Sequence, residues 1–233
     1  MPIERGTDND DMIFLALLVA DADPLFAQQR SLPMIEAPAA WQETTGDDAQ
    51  RIGIVDTGLV RDHEEIAGKD AGGYDFLDGD DDYSDTAPNG ALFHGTHVAG
   101  IIAAPGDDGK GIAGIDWRAQ VVMARALSGV TGGPSTAVIN GALWLASGHG
   151  DGVPDIDKPV DVINMSLGFP GACDPAAQQI VDEILARGVA IVAATGNHGA
   201  DFGGTTDDTV QTPANCDGVI SVGAVDYDGN VTD

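Results

Sequence analysis

Five short runs rich in valine and isoleucine recur along this chain with helical patterns between them, and this alternation limits the fold more than any other feature. The runs are Arg51 to Asp56, Gln120 to Ala126, Val160 to Ser166, Val189 to Thr195 and Val219 to Ala224. Such short apolar runs, without strict alternation, suit strands covered on both faces. Helical spacing appears in His94 to Ala104, Ser135 to Ser147 and Pro175 to Arg187. The last is the best specified, with Asp174 as N-cap, Pro175 at the first helical position, an apolar face of Ile180, Val181, Ile184 and Leu185, and Gly188 as the stop. Strands and helices alternating in this way predict a three-layer α/β fold, a mostly parallel sheet with helices on both faces. The chain's 233 residues, 43% of them apolar, are enough for one domain with a full core.

Residues 1–50 read differently. Asp23 to Gly46 carries three prolines and short apolar anchors, so it should run along the surface as a lead-in, with one short helix near Trp41. Met12 to Ala20 has the length of a signal-peptide core. Asp8, Asp10 and Asp11 precede it where Lys or Arg should stand, so it is not read as a signal. No stretch reaches the roughly 18 apolar residues of a membrane helix.

Charge narrows the partners. With 38 acidic residues against 10 basic ones, the formal net charge is −28. Such a field repels nucleic acid and anionic membranes, so neither is expected as a partner, and it keeps a protein soluble in strong salt. Two loops concentrate the acid: Asp75 to Asp85 and Gly148 to Asp157 offer hard oxygen ligands at spacings calcium can use, though neither has the full spacing of an EF-hand. Plain solvated turns are the alternative. The two cysteines, Cys173 and Cys216, lie in loop-like sequence. A bridge between them would tie a helix start to a strand start and would suit an oxidising compartment.

The chemistry gathers at three places. Asp56 closes the apolar run R-I-G-I-V-D and is followed by Thr-Gly; His94 opens the helix of H-G-T-H-V-A-G, facing solvent; Asn197 sits in the glycine turn of A-A-T-G-N-H-G, where a side-chain amide can donate to a developing oxyanion. Two other readings of the same residues remain open. Asp-Thr-Gly also serves paired-carboxylate aspartic proteases, but no second copy exists in the chain. His94 and His97 share a helix face and could be a metal pair, with the third ligand to come from His63, Glu64 or the acidic loop. The more ordinary fate of His97 is a buried, hydrogen-bonded core position.

Taken in order, V-D-T-G, H-G-T-H-V-A-G, I-N-M-S-L-G and A-A-T-G-N-H-G resemble the subtilisin-like serine proteases, the subtilase or S8 peptidase family. The similarity starts near Asp23. The resemblance implies that residues 51–233 are part of a subtilase catalytic domain and that a peptide or protein is the substrate. It makes Asp56 the residue that orients an imidazole, His94 the general base and then general acid, and Asn197 the oxyanion donor. Ser166, Leu167 and Gly168 match the substrate-lining segment, whose backbone pairs with an extended peptide, and the specificity pocket should lie between them and Ala193 to Gly196. No cofactor is needed for this chemistry. A secreted monomer is expected.

The resemblance also exposes a gap. The family's nucleophile belongs to a G-T-S-x-A block that these 233 residues do not contain, and Ser221, expected on a buried strand, lacks that context. A piece of a longer reading frame, ending before the serine, is the expected explanation. A homologue that binds peptides without cleaving them is the alternative.

Overall fold

A computed structural model of the chain describes residues 22–85, 93–129, 132–197 and 210–231. Met12 to Ala20, and His198 and Gly199 of the asparagine turn, lie outside these residues.

Among the described residues six strands form one sheet: β1 (Arg51–Asp56), β2 (Asp70–Asp75), β3 (Gln120–Arg125), β4 (Val162–Met165), β5 (Ala190–Ala194) and β6 (Ile220–Val222), in the order β2-β3-β1-β4-β5-β6. Every pairing is parallel. All five Val/Ile runs are strands. The sixth, β2, reads D-A-G-G-Y-D and has no apolar run to announce it. A side chain at its Gly73 would meet the Met123 carbonyl oxygen at 2.6 Å and the Tyr83 ring, so the strand closes on its neighbours only because that residue has none.

Around the sheet stand α1 (Ser31–Met34), α2 (Ala37–Trp41), α3 (His94–Ala103), α4 (Ser135–Ser147) and α5 (Pro175–Ala186). Successive strand residues point to opposite faces, and the two cores divide accordingly. On one face Ile54, Val121 and Met123 pack with Ala99 and Ala103 of α3. On the other, Val55, Val122, Ile163 and Ile191 pack with Val138 and Leu145 of α4 and Val181 and Ile184 of α5. The α5 signals act as their chemistry requires. Asp174 accepts from the backbone N–H groups of Ala176 at 2.9 Å and Ala177 at 2.8 Å, and Gly188 leaves the helix in the left-handed region at φ +82°.

Two expectations need correction. The lead-in carries a small core of its own: Phe26, Leu32, Ala37 and Trp41 are buried together against Ala113. Trp41 Nε1 donates to the Ile115 carbonyl at 2.9 Å, and the Gln29 amide exchanges two 2.8 Å hydrogen bonds with the backbone of Ala113. Short apolar anchors between prolines are enough to dock such a segment, since each fully buried side chain contributes about 1.5–3 kcal/mol. The second concerns β6. It is an edge strand, with Ile220 54% and Val222 49% exposed, so Ser221 is not on a buried strand.

Candidate active site

Asp56 is the last residue of β1 and is fully buried. Its Oδ1 accepts from the Thr57 N–H at 2.7 Å and lies 2.7 Å from His94 Nδ1. Oδ2 is buried without a hydrogen-bond partner among the described residues. The charge of this carboxylate is therefore directed at the imidazole.

His94 reaches Asp56 because the turn after β1 and the start of α3 touch. A β-carbon at Gly95 would stand 2.4 Å from the Gly58 carbonyl oxygen, so glycine is required for the approach. The Gly95 N–H donates to Thr57 Oγ1 at 2.9 Å. One residue on, Thr96 donates from its N–H (3.2 Å) and its hydroxyl (2.9 Å) to the buried Asp85, while its hydroxyl accepts from the Val60 N–H at 2.9 Å. A carboxylate at a helix start offsets the positive end of the dipole beneath the imidazole. The His94 pKa is raised above the ordinary 6.5, chiefly by the hydrogen bond to Asp56; partial burial opposes this, and the charges of Asp56 and Asp85 support it. Nδ1 is engaged by Asp56 while 41% of the His94 side chain is exposed, an arrangement that can exchange protons through the other ring nitrogen.

The other expected residues leave the sheet on the same edge. β1, β4 and β5 are adjacent and parallel, so Asp56, the Ser166 to Gly168 segment and Asn197 all follow C-terminal strand ends that face one way. Ser166, Leu167 and Gly168 are half-buried, and Ser166 Oγ accepts from Asn164 Nδ2 at 2.9 Å. Asn197 is exposed.

Several participants were not assigned a role from the sequence. Thr57, Thr96 and Asp85 belong to the hydrogen-bond frame of Asp56 and His94. Gln211 sits between the two expected pocket walls: a β-carbon on Gly168 would meet Gln211 Oε1 at 2.2 Å, and one on Gly196 would meet its Cδ at 3.0 Å. The Gln211 N–H donates to the Thr195 carbonyl at 3.0 Å, and Phe169 and Thr212 exchange backbone hydrogen bonds of 2.8 and 3.0 Å. A disulfide between Cys173 and Cys216 braces the same two segments. Beside Phe169 lies an apolar cavity of about 290 Å³, walled by Val138, Ile139 and Ile180.

The metal reading gains nothing here. His97 is exposed, which also corrects its expected burial: at this point of α3 the face toward the sheet belongs to Thr96 and Ala99. Among the described residues no three His, Cys, Asp or Glu side chains gather closely enough to hold a metal. Among the described residues four carboxylates of the two acidic loops have ion-pair partners within the protein. Asp75 and Asp78 pair with Arg125, Asp155 with His149, and Asp157 with Arg51.

Comparison with known proteins gives the frame for this geometry. The sequence model described as "Subtilase family" matches residues 47–233. The "Extracellular basic protease" of Dichelobacter nodosus is 35% identical over 217 residues, covering 82% of this chain and 35% of that protein. "Thermitase" of Thermoactinomyces vulgaris is 35% identical over 209 residues, covering 89% of this chain and 66% of that protein. A solved structure described as proteases from Pseudoalteromonas arctica superposes with a TM-score of 0.78 at 31% identity, covering 90% of this chain and 67% of that one. The chain thus spans between about a third and two thirds of these relatives' length. With the motifs, the parallel sheet and the family match all in agreement, this chain belongs to the subtilase family of serine proteases.

Proposed function

We propose that the whole protein to which this chain belongs is a secreted serine endopeptidase, and that Asp56, His94 and Asn197 are three of its catalytic groups. The observation that carries the reading is the 2.7 Å contact between a buried aspartate and a half-exposed histidine inside the family match. His94 Nε2 takes the proton of a serine hydroxyl as its oxygen attacks the peptide carbonyl, and Asp56 stabilises the imidazolium that results. The Asn197 amide donates to the oxyanion. When the tetrahedral adduct collapses, the C–N bond breaks and His94 returns its proton to the leaving amine. A water molecule then repeats the sequence to release the acyl group.

The proposal requires a serine in a G-T-S-x-A block, which is not among these 233 residues. Substrate would lie as an added strand along Ser166 to Gly168, with its side chain directed toward Gln211. Export is supported by the disulfide and by relatives named as extracellular proteases. Among the described residues no helix is long and apolar enough to cross a membrane.

The test is to express the complete reading frame and treat it with a fluorophosphonate. Labelling of a serine that disappears in His94→Ala, together with hydrolysis of a peptide substrate, is the expected outcome. A complete reading frame without such a serine would leave only the peptide-binding alternative.

A further inference from the structure

Arg125 is the last residue of β3, and the register of the sheet sets it beside Asp56 of β1 on one side and Asp75 of β2 on the other. Three strand ends thus carry a row of charges, minus, plus, minus. The guanidinium is nearly buried, with 11% of the side chain exposed. Nη1 donates to Asp75 Oδ2 and, at 2.9 Å, to Asp78 Oδ2. Asp75 Oδ1 in turn accepts from the N–H groups of Leu77 at 2.7 Å and Asp78 at 3.1 Å. The acidic turn after β2, which in sequence resembles a cation loop, therefore closes around a cation carried by the protein itself.

Arg125 has one further contact, and it points toward the site. Its Nε donates to the carbonyl oxygen of Thr57 at 3.2 Å. Thr57 is held at each of its other polar atoms by the pair described above: its N–H binds Asp56 Oδ1, and its Oγ1 receives the Gly95 N–H at the start of α3. Gly95 rests against Gly58, on its carbonyl oxygen and on its nitrogen, and that nitrogen shares a peptide with the Thr57 carbonyl. Fixing that carbonyl fixes the seat of the helix that carries His94. Lysine in place of Arg125 could satisfy Asp75 as a point charge but could not hold both partners with a planar fork.

We propose that Arg125 is a positioning residue of the Asp56 and His94 pair, joining the acidic turn at Asp75 and Asp78 to the Thr57 carbonyl. The inference rests on Asp56 and His94 acting as a pair, but its test does not require hydrolysis. Failure to find a serine peptidase would leave it standing.

Direction separates this role from simpler ones. The charged groups turned toward His94 are Asp56 from β1 and Asp85 from the segment before α3, with Arg125 in register beside Asp56. Removing a positive charge from this neighbourhood raises the affinity of His94 for its proton. Loosening the hydrogen bond to Asp56 lowers it.

The experiment follows the His94 ring nitrogens by NMR through a pH titration in the 233-residue chain and in Arg125→Lys and Arg125→Gln. In both variants the titration should move down by about half a unit or more, with loss or broadening of the Nδ1 proton resonance. An unchanged titration in Arg125→Lys would confine Arg125 to holding the acidic turn and overturn the proposal. An upward shift in Arg125→Gln would assign it a purely electrostatic role and overturn it equally. If Arg125→Gln does not fold, Arg125→Lys, which keeps a cation for Asp75, decides alone.

Discussion

Strands β1 and β6 are built from the same residue types and sit in the same sheet, yet one is its centre and the other its margin. Ile54 and Val55 of β1 are fully buried, whereas Ile220 and Val222 of β6 are about half exposed. β1 has a strand on each side, with α3 over one face and α4 over the other; among the described residues β6 pairs with β5 alone. The site is divided in the same way. Asp56 is enclosed and oriented by the turn and helix around it, while Asn197 stands exposed at the end of β5, next to the margin. Burial in this fold comes from the layers laid over a strand, and preorganisation of a side chain follows burial.

The largest test of that contrast is catalytic. In the active whole protein, Asp56→Asn should lower kcat by about 10⁴-fold, because the imidazole loses the partner that selects its tautomer. Asn197→Leu should cost less, about 10²- to 10³-fold, the range known for the corresponding donor in subtilisin itself. Steady-state hydrolysis of one peptide by both variants measures the difference, and equal losses would erase the distinction between the two ends.

Stability offers the next comparison. Ile54→Ala should destabilise the chain by about 2–5 kcal/mol through the cavity it leaves between β1 and α3. Ile220→Ala should stay within about 0.5 kcal/mol. Urea unfolding of both variants reads the two values, and a large loss at Ile220 would mean that β6 is covered in solution. A smaller effect is expected at the helix beside β5, where Asp174→Ala removes two capping hydrogen bonds and should cost about 1 kcal/mol.

The smallest effect concerns pH and belongs to the enclosed end. The folded-state pKa of His94 lies above the 6.5 of a free imidazole. Its contribution is therefore fully present below 6.5 and is lost as pH rises through the folded value, since in that window only the folded chain keeps the proton. Urea midpoints of the chain should fall slightly across this interval, and His94→Gln should flatten the slope. A slope of opposite sign would mean that burial outweighs the bond to Asp56.

Sequence periodicity was sufficient for elements whose own residues make the core. The Val/Ile runs and the capped α5 could be read for that reason, while the contact between Asp56 at the end of β1 and His94 at the start of α3 was suggested by their motifs and not by periodicity. It failed where a neighbour decides the outcome. β2 has glycines where a strand usually has apolar bulk, because Tyr83 supplies the bulk from outside. His97 faces solvent because Thr96 and Ala99 take the inward positions. Gln211 lies more than forty residues from Gly168, so only the folded chain sets its amide against that glycine.

The bridge between Cys173 and Cys216 closes a covalent ring that contains α5, β5 and Asn197. Proteolytic cuts fall on exposed turns. A single cut anywhere within this ring opens a loop without releasing a piece, because the two sides of the break remain joined through sulfur. Damage there would leave a molecule that runs as one band on a gel until it is reduced, with both walls of the cleft still attached to one sheet.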